Sequence, residues 1–204
     1  EVRELCQGTV LATAPIVRTS AETGQGIDEL REALLSSARQ ATKTLASDLQ
    51  DAPFRMAIDR VFTMTGHGTV VTGSVTSGQT ELGAELEIQP ETIPVRVRGL
   101  QNHDESVQQV IRGQRAAINL AGIHHNELTR GRELAAPGHL LPHNILTVSL
   151  HLLDNAPRRI KKRHQVRIHV GTAEELGTVQ LLGVDELLPG QQAYAQLHLH
   201  MKIR

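Results

Sequence analysis

The sequence predicts a mainly β chain, with one closed or nearly closed antiparallel barrel followed by part of a second, and a short strand, loop and helix of α/β type in front. Three observations predict it. From Phe54 to Val75 apolar and polar residues alternate around a glycine turn, the period-two pattern of strands with one buried face. Turn residues then recur at short intervals up to about Gly138, as they do in small barrels. Phe54, Phe62 and Tyr194 are the only aromatic residues, so Val, Ile, Leu and Ala must fill the cores, which suits small barrels.

The elements follow in order. Residues 1–40 read as the end of an α/β domain. Ala14 to Ser20 reads as a short strand leaving into a loop, and Ile27, Leu30, Leu34, Leu35 and Ala38 then fall at helical spacing. Asp28 and Glu29 in the first turn and Arg39 near the last complement the helix dipole. Residues 41–53 are polar and weakly periodic, a linker that can prolong the helix until Pro53 stops it.

Residues 54–138 read as the first barrel. Phe54, Met56 and Ile58 alternate with Arg55, Ala57 and Asp59; Gly66 and Gly68 make the turn; Val71, Gly73 and Val75 resume the alternation. Gly73 leaves room for a backbone or a ligand to approach. Val95 and Val97 alternate with Arg96 and Arg98 further on. Residues 139–204 hold a second β segment of about four strands. Its alternating positions are Leu146, Val148 and Leu150, then Val166, Ile168 and Val170, then Val179 and Leu181, then Ala193, Ala195, Leu197 and Leu199.

The composition narrows the function classes. The single cysteine, Cys6, permits no internal disulfide, which fits a reducing cytosol; it reads as a buried small hydrophobe. No apolar run approaches the ~20 residues that span a membrane, and no targeting leader is visible at Glu1. A cytoplasmic protein is expected. The net charge is −1, so any nucleic acid must be held by local patches.

The glycine turn followed by Thr69-Val70-Val71-Thr72-Gly73 resembles the second domain of translational GTPases such as elongation factor Tu. Ala57 to Phe62, Gly113 to Leu120 and Val166 to Glu174 look like the selenocysteine-specific elongation factor, and the similarity covers nearly the whole chain. The resemblance implies the end of a GTPase domain at 1–40, the aminoacyl-binding barrel at 54–138 and a truncated third-domain barrel at 139–204. It further implies selenocysteinyl-tRNA and the ribosome as partners at a recoded UGA codon. The mRNA hairpin would be read by a region beyond this chain.

GTP hydrolysis needs a glycine-rich loop ending in Lys-Ser or Lys-Thr, an Asp beside magnesium, and an Asn-Lys-x-Asp element for guanine. None occurs. Ser20-Ala21-Glu22 resembles the last guanine-contacting loop of these GTPases; by itself it also reads as a capped strand-to-helix loop. GTP and Mg are therefore expected of the parent protein, with neither held by this chain alone.

By resemblance, Asp59, Arg60 and Arg115 map onto the aminoacyl pocket. A selenol is a stronger acid than a thiol, whose ordinary pKa is about 8.5, so selenocysteine presents an anion where serine presents a neutral hydroxyl. Two always-charged guanidinium groups favour the anion. Asp59 would pair one arginine or the α-amino group. Without the resemblance, the same three residues read as exposed barrel charges in surface ion pairs.

Arg158, Arg159, Lys161, Lys162 and Arg163 form the densest basic run, a candidate contact for an RNA backbone or a solvated connection between strands. The 11 histidines, among them His67, the neighbours His124 and His125, and His198 and His200 on one strand face, lack the cysteine partners of a structural zinc site, and no metal is expected. Two further readings stay open, a general elongation-factor-like or initiation-factor carrier and a stand-alone β-barrel RNA-binding or interaction module.

Overall fold

The structure, a computed structural model, describes residues 1–44, 52–64 and 68–203. Of the glycine turn predicted at Gly66 and Gly68, Gly66 and the intervening His67 lie outside the described residues, and Gly68 has a positive φ of 82°. Two compact units divide the chain, residues 1–48 and 49–204.

In the first unit, α1 (Val2–Cys6) is a single exposed turn and α2 runs Ile27–Thr44. Residues 14–20, expected as a strand, carry none. A strand needs a neighbour to take its backbone hydrogen bonds, and the backbone bonds found here are local to the loop. The Ser20 N–H donates to the Gln25 carbonyl at 3.0 Å and the Gly24 N–H to the Ser20 carbonyl at 2.9 Å. The helix has the apolar stripe read from the sequence and extends past residue 40 into the expected linker. Leu34 and Leu35 on that stripe are exposed. Cys6, expected to be buried, is only half-buried.

The second unit contains all the strands among the described residues. β1 (Arg55–Met64), β2 (Gly68–Ser77), β3 (Gln79–Glu81), β4 (Glu85–Gln89), β5 (Ile93–Asn102), β6 (Glu105–Ser106), β7 (Gln109–Ile111), β8 (Arg115–Ala121) and β9 (Glu133–Ala135) build the first barrel. The order β4-β9-β1-β2-β8-β5 closes on itself through a β4–β5 pairing, β6 extends β5, and β3 pairs with β7 at the side. Closure leaves these six strands without a free edge.

Inward residues fill the barrel as the alternation predicts. Met56, Ile58, Val71, Ile88, Ile118 and Leu134 are completely buried. Gly73 answers its open alternative in favour of backbone, since a Cβ there would lie 2.1 Å from the Ala57 carbonyl oxygen.

β10 (His143–His151), β11 (Ile160–Lys161), β12 (His164–Val170), β13 (Ala173–Leu181), β14 (Glu186–Leu187) and β15 (Gln192–Ile203) follow. Four of them make one antiparallel sheet, β10-β15-β13-β12, and β11 pairs with β14 as a separate ladder. The sequence count of about four strands missed this ladder because two-residue strands are too short to alternate. Its Ile160 and Leu187 pack with Val179, Leu181 and Ala195 as a second core.

Candidate aminoacyl-recognition face

The face is built on a β-bulge. β1 pairs Ile58 with Gly73 and Arg60 with Thr72, so Asp59 is an extra residue with no partner of its own across β2. An extra residue re-aims the side chains around it. Ile58 points into the core, the next inward residue is Val61 rather than Arg60, and the adjacent Asp59 and Arg60 both lie outside it.

β2 and β8 complete the face. Thr72 stands opposite Ala117, Ser74 opposite Arg115 and Val70 opposite Asn119. Arg115 reaches diagonally over β2, and its guanidinium donates twice to the Asp59 carboxylate, Nη1 to Oδ2 at 2.5 Å and Nη2 to Oδ1 at 2.9 Å. The Thr72 hydroxyl donates to Asp59 Oδ1 at 3.0 Å. The Asn102 side-chain amide holds the Arg115 backbone carbonyl at 2.8 Å. These bonds keep the Asp59 carboxyl below its ordinary pKa: the Arg115 hydrogen bond contributes most, burial opposes it, and Thr72 and the charges of Arg115 and Arg60 add to the lowering. Asp59 in turn raises the pKa of Arg115.

The three residues named from the sequence thus come together on one face. Arg115 lines a shallow hollow of about 220 Å³ with Thr72, Gln101, His103, Asp104, Ala116 and Ala117, and neither Asp59 nor Arg60 borders it. Arg115 turns its fork onto Asp59, and Arg60 stands beside the pair, exposed. Two guanidinium charges against one carboxylate leave one net positive charge, and Arg60 is the member with no ion pair among the described residues.

Two residues of this face were not singled out from the sequence. Thr72 lies inside the quoted motif, and its signal is a hydroxyl at an outward position between the inward Val71 and Gly73. Asn119 lies two residues beyond Ala117, and its side-chain oxygen is buried with no hydrogen-bond partner.

The other candidates are placed more plainly. The Ser20 hydroxyl accepts the Thr23 N–H at 3.3 Å inside its loop, and Ala21 and Glu22 are exposed. The basic run forms β11 and the turn into β12, with Arg163 in the left-handed region at φ 62°. Two of its charges are paired, Arg159 with Glu186 at 3.0 Å and Lys162 with Asp185 at 2.7 Å. Arg158, Lys161 and Arg163 are exposed and make no ion pair among the described residues. The His124 and His125 rings lie 6.4 Å apart, and His198 is exposed on β15; the His200 side chain lies outside the described residues. Among the described residues no three His, Cys, Asp or Glu side chains gather closely enough to hold a metal ion.

The guanine-type loop is bonded to itself, and the sequence supplies no glycine-rich phosphate loop.

Comparison with known proteins follows the same lines. Residues 68–135 match the family model of elongation factor Tu domain 2. The selenocysteine-specific elongation factor of Desulfomicrobium baculatum is 41% identical over 197 residues, 97% of this chain and 30% of that protein. The protein of the same name from Escherichia coli (strain K12) is 33% identical over 183 residues, 89% of this chain and 28% of that protein. A crystal structure of a bacterial selenocysteine-specific elongation factor shares the fold with a TM-score of 0.70 at 24% identity, covering 92% of this chain and 29% of its own. The chain therefore spans under a third of the length of these relatives.

Proposed function

Because the chain is a homologue, over nearly its whole length, of proteins named selenocysteine-specific elongation factor, we propose that it is the aminoacyl-recognition part of a factor that brings selenocysteinyl-tRNA to the ribosome at a recoded UGA codon. The observation that carries this reading is the cationic Asp59, Arg60 and Arg115 cluster on the bulged face of the first barrel. A selenolate arriving there meets the exposed Arg60, while Asp59 holds Arg115 in place. The seryl hydroxyl brings no charge to the same donors and so gains none of that attraction.

GTP and Mg belong, in this reading, to parts of the longer protein that carry phosphate-binding elements. An mRNA hairpin is read elsewhere, and the exposed Arg158, Lys161 and Arg163 face the tRNA backbone. The setting is cytoplasmic; no helix among the described residues is long and apolar enough to cross a membrane.

The test is Arg60→Ala in the full-length protein, with selenocysteinyl-tRNA and seryl-tRNA affinities measured side by side. Selenocysteinyl binding falls about tenfold, and seryl binding changes by less than about twofold. Equal losses would favour a general aminoacyl-tRNA carrier, and no binding of either tRNA would favour an unrelated interaction module.

A further inference from the structure

β1 loses one neighbour halfway along. Its ladder with β9 ends where Ala57 faces Glu133, and Ile58 turns to other partners. The Ile58 N–H donates to the Arg132 carbonyl at 2.9 Å, and its own carbonyl accepts the Gly131 N–H at a long 3.3 Å. The shorter bond to that carbonyl comes from the other sheet. Thr172, in the turn between β12 and β13, donates its hydroxyl to it at 2.6 Å.

The turn fits closely. A Cβ on Gly171 would touch the Ala57 side chain at 3.5 Å, and one on Gly131 would lie 3.1 Å from the Ala173 Cα. The tip of the β12–β13 hairpin thus packs against β1 and the Gly131–Arg132 segment at the point where the regular β9 ladder ends.

The Ile58 carbonyl belongs to the planar peptide that carries the Asp59 nitrogen, so its orientation sets the direction in which Asp59 leaves the strand. A bulged residue has no ladder partner to hold it.

We propose that Thr172 is a positioning residue for the recognition cluster, fixing from the second sheet the bulge that brings Asp59 and Arg60 out together. The proposal rests on the reading of that cluster as the selector. It also gives the second sheet a part in aminoacyl choice without any contact to the aminoacyl group.

Thr172→Val removes the hydroxyl and keeps the branched shape, and Thr172→Ser keeps the donor. Thr172→Ala is carried alongside so that a packing fault peculiar to valine is recognised. The first measurement is the titration of the Asp59 carboxyl carbon by NMR in this chain. The groups acting on that carboxyl are Arg115 from β8, Thr72 from β2 and Arg60 from its own strand. Val and Ala are expected to move the titration up toward the ordinary carboxylate range, and Ser to leave it in place. Superposed curves for Val, Ala and the unaltered chain overturn the proposal.

The second measurement is the ratio of seryl to selenocysteinyl dissociation constants in the full-length protein. It falls about five- to tenfold with Val or Ala, the worth of about one hydrogen bond, and Ser restores it. Loss of both affinities in equal measure, with only a lower melting temperature, marks a plain seam between the sheets and overturns the positioning role. Arg60→Ala separates the two failures. If it alters the ratio and Thr172→Val does not, positioning falls and the selector stands; if it leaves the ratio unchanged, the selector falls and takes the proposal with it.

Discussion

Arg115 does not act as a free cation in this structure, and that makes its removal informative in a particular way. Arg60 and Arg115 against Asp59 give the cluster one net positive charge. Arg115→Gln lowers it to zero and leaves the Asp59 carboxylate facing the arriving selenolate. Asp59→Asn raises it to two. The double substitution returns it to one. A unit charge about 4 Å away is worth ~1 kcal/mol in water and ~4 kcal/mol near a protein surface. With the Arg115 side chain 52% exposed and that of Asp59 25% exposed, the lower part of that range applies, about 1–2 kcal/mol or roughly 5- to 30-fold in affinity. Fluorescence titration of selenocysteinyl- and seryl-tRNA against the three variants and the unaltered full-length protein is the assay. Arg115→Gln weakens selenocysteinyl binding by that factor, Asp59→Asn does not weaken it, and the double variant recovers to within about threefold of the original. Seryl binding stays nearly flat throughout. A double variant no better than Arg115→Gln would show that the loss comes from Arg115's own bonds rather than from charge balance, and the reasoning would be refuted.

Three further outcomes follow from the same geometry. Gly73→Ala drives a Cβ to 2.1 Å from the Ala57 carbonyl oxygen, and chemical denaturation should show a loss of about 2–3 kcal/mol or more. The lowered pKa of Asp59 gives stability that is present above its unfolded value of about 3.9 and lost as pH falls through the folded one; Asp59→Asn should flatten the acid limb of a thermal-melt profile below about pH 4, and an unchanged limb would count against the Arg115 bond. Replacing Arg158, Lys161 and Arg163 together by Ala should lower the salt slope of tRNA binding by about 0.7–0.9 for each phosphate no longer neutralised, whereas Lys162→Ala, whose charge is engaged by Asp185, should move it less.

What was legible in the sequence follows from the range of the forces involved. Alternation is a local signal, so Phe54, Met56 and Ile58 announced their buried face, and Val148, Leu150, Val166 and Val179 announced the second core. The expected strand at 14–20 failed for the complementary reason: a strand is made by its neighbour, and a lone apolar run carries no record of whether a neighbour is there. The same blindness applied to the β11–β14 ladder.

The site divides along that line too. Asp59 and Arg60 could be named because a motif marks them, and Arg115 because its stretch resembles the same family. That Arg115 spends its fork on Asp59, and that Thr72 shares the carboxylate, depends on register between β1, β2 and β8, which no local pattern encodes. Thr172 lies farther still from legibility. Its hydroxyl meets a carbonyl 114 residues away, at a point where one strand's ladder has ended and the other sheet's turn has come in. If selection depends on that bond, the sequence motif around Thr172 is explained by a partner in the first barrel, and variation at Ala57, Gly131 or Gly171 should disturb the selector as surely as variation at Arg60.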